Sequence, residues 1–182
     1  IVAALEKRGL LDDTLIAVVS DHGQTDAPHG VPLDLLLRKE CTARAQTLGM
    51  GAYIFGDLDA AREALEARKA AWRISHIYTE SELRALHAPG HVHLAVDAED
   101  GACFIDREGE QTRGEHGSAL DKPEARTLFF LAGRGIKKDY VIDGMNLVDI
   151  APTVARAAGL SLPDADGREI AEIFEESGEG SP

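Results

Sequence analysis

Residues 14–23 read TLIAVVSDHG, and this stretch decides the fold class. Thr14 to Ser20 is a short, nearly continuous apolar and β-branched run between polar turns, the pattern of a strand buried on both faces of a parallel sheet. Upstream, Ile1, Val2, Leu5 and Leu10 fall close to helical spacing and Gly9 fits a stop, so the chain opens inside a helix. A helix feeding a buried strand is half of a βαβ unit. The expectation is an α/β fold with a mostly parallel sheet flanked by helices.

Working outward, PLDLLLRK reads as a short helix and GAYIFG as a strand. DLDAAREALEARKAAW is a helix capped by Asp57, and RISHIYT is a strand. TESELRALH has Thr79 and Glu82 in capping-box spacing, which predicts a short helix. HVHLAVDA and ACFID are two strands around the turn AEDG, so residues 50–106 alternate as a small α/β insertion would. The main sheet resumes at RTLFFLAG, and NLVDIAPTVARAAGL is the last helix, closed by Gly159. Pro152 requires that helix either to start near Asp149 or to kink. Residues 1–174 are read as one domain and 175–182 as a disordered tail.

Composition excludes several function classes. With 19 Lys+Arg against 32 Asp+Glu, the net charge of −13 repels polyanions, so DNA and RNA are not expected partners. A small phosphorylated substrate remains compatible if a bound cation reverses the local sign. No apolar run approaches the ~20 residues of a membrane span. Cys41 and Cys103 are too few and too far apart for a disulfide framework or a thiolate zinc site.

Two motifs carry candidate chemistry. A buried strand delivers Asp21 and His22 at its carboxyl end, the edge where open α/β sheets place their sites. Strand neighbours point to opposite faces, so the two converge on one ion only where the strand stops, and Gly23 permits that break. A carboxylate with an imidazole suits zinc, and less selectively manganese or iron. The ordinary alternative is an Asp21 turn cap beside a surface His22. In the second motif, RGEHGS, Gly114 and Gly117 flank His116 at GxHG spacing, which lets the backbone pass close to a metal or anion. Its ordinary alternative is a flexible loop with an incidental histidine.

DHG after a strand, GxHG with its histidine 94 positions on (22 to 116), then an apolar strand and a DIAPT helix, resembles the nucleotide pyrophosphatase/phosphodiesterase family of the alkaline phosphatase superfamily. RGLLDDTLIAVVSDHG, HIYTESELRAL with HLAVDAEDGACF, and GMNLVDIAPTVARAAGL with DADGREI are similar to that family's segments. The resemblance runs from about Leu10 to Ile170 and is weakest from Gln24 to Trp72. It implies an incomplete alkaline phosphatase-like core, the carboxyl-terminal part of one catalytic domain. It also implies two divalent ions, zinc first with manganese or iron as alternatives, acting on phosphodiester or pyrophosphate bonds of nucleotide-like substrates. By the same resemblance Asp21 and His22 hold the ion on the nucleophile side and His116 holds the partner ion.

The family's Thr or Ser nucleophile and its further Asp and His ligands precede the DHG motif. Asp12, Asp13 and Thr14 read as the turn and strand start and supply no such set. The expectation is that the nucleophile half is absent and that this polypeptide alone is inactive. Phosphonoacetate hydrolase, phosphomonoesterase and sulfatase are alternatives within the superfamily, and a non-catalytic binding module that retains the fold is an alternative outside it. Compartment is left open with a lean to the cytoplasm, since an export signal would sit ahead of Ile1. Oligomeric state is not indicated.

Other residues receive plainer readings. Arg113, adjoining GEHG, is a candidate for substrate phosphate, whereas Lys137 and Lys138 read as solvated charge. His91 and His93 would share a strand face, with solvent exposure preferred over a metal. His29 reads as a turn residue, and His76 and His87 as structural. Asp149 reads as a cap or buried hydrogen-bonding group, and Trp72 as core.

Overall fold

The computed structural model describes residues 1–110 and 113–175. In chain order the elements are α1 (Val2–Lys7), β1 (Ile16–Val19), β2 (Thr25–Asp26), β3 (His29–Val31), α2 (Leu33–Glu40), β4 (Arg44–Leu48) and β5 (Gly51–Phe55). They continue with α3 (Leu58–Arg68), β6 (Ile74–Ile77), α4 (Glu80–Ala85), β7 (Ala95–Ala98), β8 (Ala102–Phe104), β9 (Gly114–Glu115), β10 (Phe129–Ala132) and α5 (Ile150–Ala157). The chain divides into two compact units, Ile1–Asp21 with the chain from Thr127, and His22–Arg126.

In the first unit, β1 and β10 form an antiparallel pair from Ile16↔Ala132 to Val19↔Phe129. The strand lies where the apolar run placed it, but its partner is not parallel and its faces are not both covered, since Val18 and Val19 are 50% and 53% exposed. An apolar run records a preference for burial; the direction of the partner strand is set by connectivity, which a local pattern does not contain. Helix α5 begins at Ile150, so Pro152 sits in its first turn, where a missing N–H costs no helical hydrogen bond. Asn146 and Asp149 form a capping box just ahead of it. Glu175 donates its N–H to Gly135 O at 2.9 Å. The remainder of the expected tail, 176–182, lies outside the described residues.

The second unit is built on a four-stranded antiparallel sheet in the order β4-β5-β7-β6. Alternation along β5 turns Ala52 and Ile54 inward, where they pack with Leu37 of α2, Leu65 of α3 and the buried Trp72. Asp57 caps α3 by accepting from Ala60 N–H at 3.1 Å, and the Thr79/Glu82 capping box opens α4. Strands β3 and β8 pair in parallel and β2 and β9 antiparallel. Among the described residues the β3–β8 pair is the parallel one and the other sheets are antiparallel, so the architecture is α/β with several small sheets rather than one mostly parallel sheet. No helix among them is long and apolar enough to cross a membrane.

Candidate metal centre

Ser20 ends the β1–β10 ladder: its N–H donates to Leu128 O at 3.0 Å, and its Oγ accepts from Leu128 N–H at 2.7 Å. Strand pairing therefore stops one residue before Asp21, which is exposed and is the last residue of its stretch of the first unit. His22 opens the second unit. Its Nδ1 lies 2.8 Å from Gly23 O, and because a carbonyl only accepts, Nδ1 carries the proton, which in the neutral ring leaves the lone pair on Nε2.

Three residues beyond His22, β2 pairs with β9 through Thr25↔Glu115 and Asp26↔Gly114. That short ladder brings the two glycine-bearing loops together. The rings of His22 and His116 stack with centroids 4.2 Å apart and planes 17° from parallel. Ring nitrogens offer their lone pairs in the ring plane, so near-parallel stacked rings do not converge on one ion. The donor types, imidazole with carboxylate, fit zinc, while the number falls short. Among the described residues, no group of three or more His, Cys, Asp or Glu side chains is arranged to hold an ion.

The motif glycines make room for neighbouring protein atoms. A Cβ on Gly23, whose φ is not left-handed, would lie 1.9 Å from Glu124 O. On Gly117, at φ +84°, it would lie 2.7 Å from Leu48 O. One on Gly114 would come within 3.2 Å of the Gln24 amide nitrogen. Arg113 is exposed, and its carbonyl accepts from Ala27 N–H at 3.1 Å. With Gln24, Thr25, Asp26 and Gly114 it lines an open polar groove of about 590 Å³ along the β2–β9 ladder.

The remaining histidines separate. His91 and His93 lie before β7 rather than on it. His91 stacks on Phe55 at 6.2 Å, and His93 Nδ1 lies 3.2 Å from Glu80 Oε1. His76 Nε2 is 2.9 Å from Glu82 Oε1, and His29 is the exposed first residue of β3 rather than a turn residue. Lys137 reaches Glu172 O at 2.9 Å. Asp149 is a buried hydrogen-bonding group, as its place before the last helix suggested.

The sequence reading missed the turn between β4 and β5, which packs against the His116 loop. Met50 N–H donates to His116 O at 2.9 Å. Gly-Met-Gly between two alternating stretches is a hairpin signal that would have found it. At the same hairpin Gly51 faces Asp97, whose carboxyl is pushed up by burial. The Tyr78 hydroxyl donates to Asp97 at 2.5 Å, and that phenol is pushed up by burial and then by the same hydrogen bond.

The family model described as Type I phosphodiesterase / nucleotide pyrophosphatase matches residues 1–125. Human ectonucleotide pyrophosphatase / phosphodiesterase 5 superposes with a TM-score of 0.75 at 17% identity, covering 96% of this chain and 49% of that one. An inactive variant of the murine protein, in complex with AMP, gives 0.75 at 18% identity with the same coverage. A multiply substituted alkaline phosphatase PafA gives 0.61 at 15%, covering 95% of this chain and 40% of that one. The fold is thus alkaline phosphatase-like, and the chain spans about half the length of the first two structures. No curated protein sequence matches it.

Proposed function

Because the chain belongs to the type I phosphodiesterase / nucleotide pyrophosphatase family of the alkaline phosphatase superfamily, we propose that it carries part of a two-metal site. That site hydrolyses phosphodiester or pyrophosphate bonds in nucleotide-like substrates. One observation carries the reading: His22 and His116, 94 positions apart, have their rings stacked at 4.2 Å.

In this reading Asp21 and His22 hold one divalent ion and His116 its partner, zinc by donor type with manganese or iron as alternatives. When bound, such a pair activates a hydroxyl nucleophile and neutralises charge on the phosphoryl group. The chain's own residues do the placing. Ser20 closes the β1–β10 ladder just ahead of Asp21, and the Gly23 carbonyl holds the His22 ring by its Nδ1, which leaves Nε2 as the donor atom of the neutral ring. Arg113 offers the groove a cation for a substrate phosphate in an otherwise acidic protein. The inactive variant of the murine protein is in complex with AMP, which supports a nucleotide as the substrate class.

No residue of this chain is assigned as nucleophile. Thr14 donates its hydroxyl to Leu10 O at 2.6 Å and serves the turn before β1. The 182 residues alone are therefore expected to bind metal without turnover.

The test is hydrolysis of a nucleotide diester, a phosphonate and an aryl sulfate by a protein that includes this chain, before and after chelation. Diester cleavage abolished by chelator and restored by zinc is expected. His22→Ala and His116→Ala should each lower zinc affinity by at least about 100-fold. Chelator-resistant cleavage, or wild-type zinc affinity in both variants, would sink the reading.

A further inference from the structure

We infer that the hairpin turn Leu48–Gly51 positions His116 against His22, and that Gly49 and Gly117 are positioning residues because only glycine lets the turn and the loop interlock. Met50 N–H donates to His116 O at 2.9 Å, so the backbone of the histidine itself is held. Gly49 has φ +76°, and a Cβ there would lie 2.6 Å from that same His116 oxygen and 2.9 Å from Glu115 Oε2. From the other side, a Cβ on Gly117 would strike Leu48 O at 2.7 Å. Two backbones thus pass within a distance that no other residue type permits.

The turn is itself anchored. Gly49 O accepts from Phe104 N–H and Met50 O from Ala98 N–H, both at 2.8 Å, which fixes it to β8 and β7. Met50 is 3% exposed and packs with Ala27, Cys103 and Ile105. Ala27 follows β2, the strand leading away from His22, so the Met50 side chain braces one histidine loop while its N–H grips the other. Ser118 Oγ reaches Met50 Sδ at 3.3 Å and extends the grip past His116. The sheet of the second unit thereby sets the imidazole pair, although no residue of that sheet is a proposed ligand.

The catalytic meaning of this rests on the metal reading above; the geometry does not. The experiment therefore reads the rings directly, in the metal-free 182-residue chain, by nuclear magnetic resonance of the His22 and His116 ring protons. Gly101 supplies the control. Its φ of +75° imposes the same backbone demand as Gly49, but a Cβ there meets nothing within 4 Å.

Gly49→Ala and Gly117→Ala are expected to remove the mutual ring-current displacement of the two histidines, while Gly101→Ala leaves it in place. Wild-type ring signals in a folded Gly49→Ala, or their equal loss in Gly101→Ala, would overturn the inference. If neither of the first two variants folds, amide exchange in the wild type decides. Met50 N–H should be protected as strongly as Ala98 N–H, and free exchange at Met50 overturns the proposal. A wild-type chain that shows the ring signature but no zinc binding removes the metal reading and leaves this one standing.

Discussion

Asp149 is 2% exposed, and each of its carboxylate oxygens accepts from a backbone N–H, Asn146 at 3.0 Å and Arg168 at 2.9 Å. Those bonds, from Asn146 first and then Arg168, outweigh burial and hold the carboxyl below its ordinary value. A carboxylate with a depressed folded pKa stabilises the fold above its unfolded value, about 3.9, and loses that contribution as pH falls through it toward the folded value. Asp149→Asn should therefore be destabilised at neutral pH, with the gap to wild type closing below about pH 4 in denaturant titrations. Asp149→Ala, which removes the acceptor of two partly buried N–H groups, should cost about 2 kcal/mol by the same measurement. The charge of the group is legible as a helix-start aspartate. That Arg168, far along the chain, turns back to it is not.

At the scale of elements, the clearest local signals are the caps. Thr79 Oγ1 accepts from Glu82 N–H while Thr79 N–H donates to Glu82 Oε2 at 2.6 Å, closing the box that the TESE spacing announces. Thr79→Ala should cost about 1 kcal/mol, read from urea unfolding of the chain. Gly23 tests a different kind of constraint. Its φ is ordinary, so nothing in the local conformation demands glycine, yet a Cβ would meet the Glu124 carbonyl at 1.9 Å. Gly23→Ala should destabilise the second unit by more than about 2 kcal/mol through that overlap. Gly101→Ala, with strain but no neighbour, should cost about 1 kcal/mol. Equal losses would show that steric approach is not what selects glycine in the DHG motif. Strand β4 escaped the sequence reading because TARAQTL is half polar, and its place is secured by tertiary bonds. Asp34 of α2 accepts from Arg44 Nε and from Ala45 N–H, both at 2.9 Å.

For the whole molecule, charge is the property that composition controls. A net charge of −13 predicts that the chain does not retard duplex DNA in a gel-shift assay at low salt, where phosphate contacts would be strongest. A retarded band that salt abolishes would contradict this. The helices and strands β1, β5, β6, β7, β8 and β10 follow the order that periodicity assigns, because each element's apolar face must be buried somewhere, whereas β2, β3, β4 and β9 carry no such pattern. What periodicity leaves open is the partner. The run Thr14 to Ser20 announces a strand and no more, and its antiparallel pairing with β10 depends on a segment more than 100 residues away.

By itself, the sequence determined the α/β class, the caps, and the two glycine-bearing motifs with their histidines, since each depends on neighbours a few residues apart. Tertiary structure alone decided that His22 and His116 stack, that a Gly-Met-Gly turn grips the second histidine, and that Gly23 and Gly117 each lie against a backbone carbonyl from elsewhere in the chain. The physical reason is range. Local hydrogen bonds and periodic burial are written within one turn or one strand, whereas steric approach between distant backbones exists only once the chain has closed on itself.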